Sequence, residues 1–175
     1  MTIDTRSSGR YADPVTDHGA ALEALEAEAA QASEAEFVSR RAHPFLSFDA
    51  PDDDEVHFMT ELGNVPSTRK QIVVAAITKR EGSPFQDRIS IGRARNSDVV
   101  IRHSSVSKLH AHFRHEPSGL TLTDVGSHNG TKIDGSPLVP HRPEAVRPGM
   151  TLMVGAIPAR VIDAKSAYEI LRRRG

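Results

Sequence analysis

The chain has no cysteine and no tryptophan, and aromatic residues make up only 5% of its 175 residues. Without cysteine there is no disulfide, no thiolate metal site and no cysteine nucleophile, and this composition suits a reducing cytoplasm. No apolar run approaches the roughly 20 residues needed to span a bilayer, and no basic segment followed by an apolar one opens the chain. We therefore expect a soluble, cytoplasmic protein with one domain, some extensions and no membrane partner.

The net charge of −1 conceals a strong asymmetry along the chain. Residues 1–68 carry 4 Lys or Arg against 14 Asp or Glu, a net charge of −10. Residues 69–175 carry 18 Lys or Arg against 9 Asp or Glu, a net charge of +9. A basic domain favours an anionic ligand.

The acidic part divides into three segments. Residues 1–17 are polar and aperiodic, which predicts a disordered leader. Residues 18–42 are rich in Ala, Glu and Leu and predict one helix, whose narrow apolar stripe favours a solvated helix or one lying loosely on the domain. Residues 43–68 are interpreted as an acidic linker that contains a small apolar island, Phe45-Leu46-Ser47-Phe48. Whether this island docks on the domain stays open.

From Lys70 onward the apolar residues repeat with a period of two. Short runs of this kind recur through residues 69–164, separated by turn dipeptides such as Asn129-Gly130 and Asp134-Gly135. Many short strands without a helical pattern between them predict an all-β protein, an antiparallel sandwich that follows an acidic N-terminal extension with one helix. Residues 165–175 predict a short helix or a basic tail.

Three polar motifs follow strands in this domain: Ile91-Gly92-Arg93, Ser107-Lys108-Leu109-His110 and the loop from Asp124 to Thr131. A phosphate dianion requires hydrogen-bond donors and positive charge without competing carboxylates. Arg93 offers a planar fork of donors, Ser107 a hydroxyl, Lys108 a second charge and Asn129 an amide, while residues 102–108 contain no acid. The motifs predict an oxyanion receptor on a β scaffold.

The predicted hairpin of strands 109–115 and 119–124 would bring Ser107 and Asn129 to one edge of the sandwich. A simple meander would leave the loop 92–97, with Arg93, at the far edge, one strand or roughly 13 Å away. Chain order alone therefore places two of the three loops together.

The three motifs together resemble the forkhead-associated (FHA) family over about residues 70–163. The resemblance implies an FHA/SMAD-like sandwich that binds phosphothreonine peptides, with no catalytic residue, cofactor or metal. It implies that Arg93 and Ser107 bind the phosphate, that Lys108 assists and that Asn129 orients the peptide backbone. Secondary or supporting positions are Gly92, His110, Ser127, His128, Gly130 and Thr131, with His110 supporting the loops from behind.

Convergence of the three loops, as in the family, would require segment 98–101 to pass between the sheets. At His128 the family often has a small hydroxyl residue, so one contact is expected to be absent or pH-dependent. Near the C-terminus, Met150 stands where the family often has Asp, which concerns a turn more than the site.

The resemblance implies a non-catalytic adaptor in Ser/Thr kinase signalling, whose partner is a phosphothreonine-containing protein such as a kinase or its substrate. One alternative is an FHA-fold interaction scaffold with a degenerate, phospho-independent site. A nucleic-acid-binding domain is less favoured, because few aromatic residues are present to stack bases. A metal site of His103, His110, His112 and His115 has still less support, since no partner carboxylate is evident. A hydrolase pair of Ser107 and His110 is equally disfavoured, since no Gly-x-Ser-x-Gly elbow occurs.

Three threonines, Thr5, Thr16 and Thr60, lie in or near the acidic segment, whose charge is opposite to that of the domain. If a kinase phosphorylates one of them, the segment can occupy its own domain's site or that of a neighbour. Autoinhibition or dimerisation would follow.

Overall fold

The computed structural model describes residues 16–50 and 71–174, and for residues 16–20 the backbone alone. The helices are α1 (Thr16–Gln31), α2 (Glu34–Arg40) and α3 (Ala164–Arg172). The strands are β1 (Phe45–Asp49), β2 (Ile72–Ala76), β3 (Ile89–Gly92), β4 (Val99–Val100), β5 (Ala111–Glu116), β6 (Gly119–Asp124), β7 (Thr131–Ile133), β8 (Ser136–Pro137), β9 (Glu144–Val146), β10 (Thr151–Val154) and β11 (Ile157–Ile162).

The strands form two sheets that pack face to face, which confirms the predicted β-sandwich. Sheet A has the order β2-β1-β11-β10-β7-β8, and sheet B has the order β4-β3-β5-β6-β9. Inward-facing aliphatic and phenylalanine side chains of both sheets form the main core, for example Leu46, Ile91, Phe113, Leu122 and Val161. Because aromatic residues are few, Val, Ile and Leu supply most of this core.

A second core lies on the outer face of sheet A, beneath the three helices. Strand β2 contributes to both cores, since Val73 faces the other sheet and Val74 faces the helices. Burial on both faces explains why this strand reads as a continuous apolar run instead of an alternating one. The described part of the chain therefore has three layers: helices, sheet A and sheet B.

The interpretation of residues 43–68 as a linker is wrong for the apolar island. The island is strand β1, which pairs antiparallel with β2 on one side and with β11 on the other. Leu46 and Phe48 point into the main core, whereas Phe45 lies under the helices and is fully buried. The sandwich therefore begins at Phe45, well before residue 69, and residues 51–68 of the predicted linker lie outside the described residues.

The single helix predicted over residues 18–42 is two helices. Ser33 begins the second one with a capping box: its side chain accepts from the Glu36 N–H at 3.4 Å, and its own N–H donates to the Glu36 carboxylate at 2.9 Å. Such a reciprocal cap satisfies backbone donors that a continuing helix would not leave unpaired. Residues 1–15 of the predicted leader lie outside the described residues, and residues 16 and 17 belong to α1.

These helices pack firmly, so the expectation of a solvated or loosely lying helix is wrong. Leu22, Leu25, Ala29 and Phe37 are buried in the second core with residues of α3. The Phe37 ring lies 5.5 Å from that of Tyr168, whose hydroxyl donates to the Ala32 carbonyl at 3.1 Å. The C-terminal segment is thus a helix that begins at Ala164, one residue before the predicted bound.

Arginines of the predicted basic tail also contact α1. Arg174 pairs with Glu26 at 2.9 Å, and Arg172 donates to the Ala30 carbonyl at 3.3 Å. One ion pair therefore joins the acidic and the basic part of the chain inside the fold, between α1 and the residues after α3.

The family resemblance led us to expect that segment 98–101 passes between the sheets, and this expectation is wrong. Strand β4 pairs in parallel with β3 at the edge of sheet B, with Gly92 opposite Val100. Because the two strands run in the same direction, the loop after β4 leaves from the end of the sheet at which β3 stops. Ile91 pairs with Ala111, and Ala111 pairs with Asp124, so the ends of β3 and β6 and the start of β5 lie side by side.

Candidate functional site

Three loops meet at this end of the sandwich: residues 93–98, 101–110 and 125–130. They touch through backbone hydrogen bonds, since the Arg93 N–H donates to the Ser107 carbonyl at 2.9 Å and the Ala94 N–H donates to the Lys108 carbonyl at 3.1 Å. A Cβ atom at Gly92 would lie 2.1 Å from the Lys108 carbonyl oxygen. Only glycine fits here, because the neighbouring loop, and not a ligand, occupies the space of a side chain.

The Arg93 side chain is exposed at the junction of the first two loops. Its Nε–H donates to the Val106 carbonyl at 3.1 Å. This bond restricts the rotation of the guanidinium and leaves its two terminal nitrogens to face an anion as a fork. Lys108 is exposed on the same loop as Ser107, where its ammonium adds a second positive charge.

The Ser107 hydroxyl oxygen accepts a hydrogen bond from the backbone N–H of His128 at 3.1 Å. A serine hydroxyl has one hydrogen and two acceptor lone pairs, so accepting this bond leaves its hydrogen available to donate. The contact also joins the second loop to the third. His128 reaches the site through its backbone N–H, which any non-proline residue would supply at this position, while its side chain is exposed.

His110 is fully buried behind the loops, and its ring bonds to the second and the third loop. The Ser107 N–H donates to Nδ1 at 3.1 Å, so that nitrogen carries no proton, and Nε2 lies 3.1 Å from the Gly130 carbonyl, to which it donates. The neutral Nε2–H tautomer satisfies both partners. Burial lowers the pKa of His110, although the Gly130 carbonyl and the Asp124 carboxylate at 4.0 Å oppose this effect.

Asp124 organises the third loop from below. Its carboxylate accepts from the N–H groups of Gly126 and Ser127, both at 2.8 Å, and from the hydroxyls of Ser127 and Thr131, both at 2.6 Å. Burial raises the pKa of this carboxyl, but the four hydrogen bonds outweigh it and the pKa is lowered. The hydroxyls of Ser127 and Thr131 thus serve the loop and do not face the open side of the site.

Asn129 is exposed at the tip of the third loop, followed by Gly130, whose φ of +72° suits glycine. The Asn129 Nδ2 donates to the Ser105 carbonyl at 2.8 Å. Asn129 thus also contacts the second loop, at a residue two positions before Ser107. Its remaining amide hydrogen and carbonyl oxygen are the groups suited to gripping an extended peptide backbone.

Asp98, which the sequence did not single out, fixes the start of the site. It is buried and accepts from the N–H and hydroxyl of Ser90, both at 2.7 Å, from Lys79 Nζ at 3.0 Å and from the Arg80 N–H at 2.8 Å. These bonds outweigh burial and lower the pKa of Asp98. They hold the end of loop 93–98 against β3, the strand that carries Gly92 and Arg93.

Sequence reasoning also missed Asp124 and Ser105 as supports. An Asp two residues before a Gly after a strand is a signal for an Asx-type turn and would have indicated Asp124. Ser105 acts through its backbone carbonyl, which every residue has, so no sequence signal marks it.

The assembled site offers a guanidinium fork, a hydroxyl hydrogen, an ammonium and an amide on one open surface. The two acids that border these loops, Asp98 and Asp124, are buried, and their carboxylate oxygens already accept hydrogen bonds. Within residues 16–50 and 71–174, no group of three or more His, Asp or Glu side chains is arranged to hold a metal ion. None of the helices in the described ranges is long and apolar enough to cross a membrane.

Comparisons with known proteins find similarities over this part of the chain. The family model described as FHA domain matches residues 89–155, which run from β3 to the turn after β10. The glycogen accumulation regulator GarA of Mycolicibacterium smegmatis is 40% identical to this chain over 60 residues, which cover 33% of this chain and 38% of that protein. The chain thus matches well under half of this relative's length.

Solved structures to which this chain is similar include the N-terminal FHA domain of Rad53p from S. cerevisiae in complex with a phosphothreonine peptide. It is 18% identical, covers 57% of this chain and 91% of its own, and gives a TM-score of 0.45. An engineered FHA domain with a Myc-pTBD peptide is 17% identical, covers 73% of this chain and 96% of its own, and gives a TM-score of 0.46.

Proposed function

Because this chain contains a forkhead-associated domain, we propose that it binds phosphothreonine peptides through Arg93, Ser107, Lys108 and Asn129. Arg93 and Ser107 bind the phosphate oxygens, Lys108 adds charge, and Asn129 holds the peptide backbone. The role is that of a non-catalytic adaptor in cytoplasmic Ser/Thr kinase signalling. The partner is a phosphothreonine-containing protein, either a kinase or a kinase substrate.

One observation carries the proposal: loop 101–110 bonds to both neighbouring loops, so three donors from three separate loops share one surface. The Arg93 backbone bonds to Ser107, and the Asn129 side chain bonds to Ser105, two residues earlier. Each donor group is held by a hydrogen bond that leaves further donors unused. A receptor organised before its ligand arrives loses little conformational entropy on binding.

The test is a calorimetric titration with a phosphothreonine peptide library, its dephosphorylated twin and its phosphoserine twin. Removing Arg93 deletes a charge-assisted contact to a dianion, so Arg93→Ala should weaken phosphothreonine binding by about 2 kcal/mol or more, roughly 30-fold. Arg95→Ala, an exposed arginine of the same loop, is the matched control and should change affinity little. Equal binding to phosphorylated and unphosphorylated peptides would instead support a phospho-independent scaffold.

We also propose that the acidic segment competes for the site once phosphorylated. Strand β1 ends, and β2 begins, at the end of sheet A that faces the three loops, because Asp49 pairs with Ile72 and Phe48 with Ala159 near the start of β11. Residues 51–70, with Thr60, connect these two points. Thr5 and Thr60 lie outside the described residues, and Thr16 is the first residue of α1.

Alanine at each threonine tests this competition without removing any strand. After treatment with a Ser/Thr kinase, the wild-type chain should bind an added phosphothreonine peptide more weakly than before. The variant that lacks the responsible threonine should retain its full affinity. Equal affinity of treated and untreated wild-type protein, with phosphorylation verified by mass, would exclude the competition.

A further inference from the structure

The amide of Asn129 depends on a residue outside the three motifs. Its Nδ2 donates to the backbone carbonyl of Ser105 at 2.8 Å, so the direction of that carbonyl sets the orientation of the amide. Asn129 itself is exposed at a loop tip, where a side chain without such a partner would sample several rotamers.

Ser105 is fixed through its other polar groups. Its hydroxyl oxygen accepts from the Ala156 N–H at 2.9 Å and lies 2.7 Å from Nδ1 of His103. Its own N–H donates to the same Nδ1 at 3.1 Å. A nitrogen that accepts from an N–H carries its lone pair, so His103 holds its proton on Nε2, and the Ser105 hydroxyl also donates to Nδ1.

Packing adds to these hydrogen bonds. A Cβ atom at Gly155 would lie 2.5 Å from the Ser105 carbonyl oxygen and 2.8 Å from its hydroxyl oxygen, so the turn between β10 and β11 sits directly against Ser105. The Gly155 N–H also donates to the Gly130 carbonyl at 3.1 Å. The turn between β10 and β11 of sheet A thereby supports the loop between β4 and β5 of sheet B.

We propose that His103 and Ser105 are positioning residues for Asn129. They hold the carbonyl that orients the Asn129 amide before a peptide arrives. This inference rests on the proposed function, because the amide has a backbone to grip only if the chain binds phosphothreonine peptides. Neither residue contacts the ligand. Their contribution is to reduce the ordering that binding would otherwise require of Asn129.

The first arm of the test compares two ligands. One is a phosphothreonine peptide, which uses Asn129, and the other is the amino acid phosphothreonine, which offers the phosphate with no flanking peptide. His103→Leu, which removes the acceptor, and Ser105→Ala should each weaken the peptide about 5- to 10-fold and change phosphothreonine affinity less than about 2-fold. His103→Asn keeps an acceptor at the position of Nδ1 and should restore most of the peptide affinity.

A double-mutant cycle separates positioning from a general structural effect. In an Asn129→Ala background the amide is gone, so His103→Leu should cause no further loss of peptide affinity. Equal losses in both backgrounds, or equal losses for peptide and phosphothreonine, would overturn the proposal. If Ser105→Ala does not fold, the His103→Leu and His103→Asn pair carries the test alone.

The second arm needs no ligand, and it distinguishes failure of this inference from failure of the proposed function. The two Nδ2 protons of Asn129 give separate signals in a nitrogen–proton correlation spectrum. In the wild type the hydrogen bond to Ser105 should displace the chemical shift of one of these protons. In His103→Leu both chemical shifts should move to the values of a solvated amide. Unchanged amide signals would refute positioning even if phosphopeptides bind, whereas shifted signals without phosphopeptide binding would refute only the proposed function.

Discussion

At Gly92 the lack of a side chain is a packing requirement of the site. A Cβ atom would overlap the Lys108 carbonyl oxygen at 2.1 Å, and a backbone atom cannot move aside as a flexible side chain can. Gly130 is the opposite case, because nothing lies within 4 Å of its Cβ position and only its φ of +72° restricts it. The two glycines belong to the same site for different physical reasons.

We therefore expect Gly92→Ala to lower the free energy of unfolding by about 3 kcal/mol, the upper range for overpacking. Gly130→Asn should cost only about 1 kcal/mol, because Asn tolerates positive φ. Denaturant unfolding of both variants measures the difference. A Gly92→Ala variant as stable as the wild type would mean that the loops separate readily at this point.

His110 links the site to pH. Its pKa is lowered, chiefly by burial, so the folded chain resists protonation there. Below the ordinary histidine pKa of about 6.5 the unfolded chain takes up a proton that the folded chain does not, and stability therefore falls as the pH drops. Protonation of Nδ1 would also break the hydrogen bond from the Ser107 N–H.

Stability of the wild type should thus decline from about pH 7 to pH 5. His110→Asn, which keeps an acceptor for Ser107 and does not titrate, should flatten this slope by up to about 1.4 kcal/mol per pH unit, while lowering stability at pH 7. Some slope remains, because burial also lowers the pKa values of His43 and His112. Parallel curves for the two proteins would exclude His110 as a source of the pH dependence.

At the scale of elements, the motifs and strand periods predicted the sandwich and the hairpin of β5 and β6, which the pairing of His112 with Thr123 confirms. Chain order alone did not place the Arg93 loop. Strand β4 has only two residues, too few for a sequence pattern to show that it pairs in parallel with β3. Strand β1 was missed for a related reason. Its partners are β2 and β11, far away in the sequence, and an acidic run surrounds its short apolar island.

Helix α2 depends on its cap and on Phe37. Removing the Ser33 side chain leaves helix donors unpaired, so Ser33→Ala should cost about 1 kcal/mol. Phe37 is fully buried against Phe45 and Tyr168, and Phe37→Ala should cost about 3–5 kcal/mol. Ser39→Ala, an exposed position of the same helix, is the control and should be neutral. Thermal unfolding of the three variants checks the order, and a neutral Phe37→Ala would mean that the second core contributes nothing.

For the whole molecule, the boundary between the acidic and the basic halves is not a boundary of folding. The halves meet at residue 68, yet the second core joins α1 and α2 to α3, and β1 lies inside sheet A. Removal of residues 1–68 would therefore delete a central strand along with the acidic charge. A deletion of this kind cannot test whether the acidic segment competes for the site.

Two truncations separate these contributions. A chain that begins at His43 keeps β1 and both sheets but exposes the second core, so it should fold with a lower melting temperature and retain phosphopeptide affinity. A chain that begins at Arg69 loses β1, so the edges of β2 and β11 that face β1 lose their hydrogen-bonding partner, and this chain should not fold. Circular dichroism and amide spectra of both chains decide between these outcomes. A folded chain from Arg69 would show that β2 can pair directly with β11, and that the acidic half is dispensable for the sandwich after all.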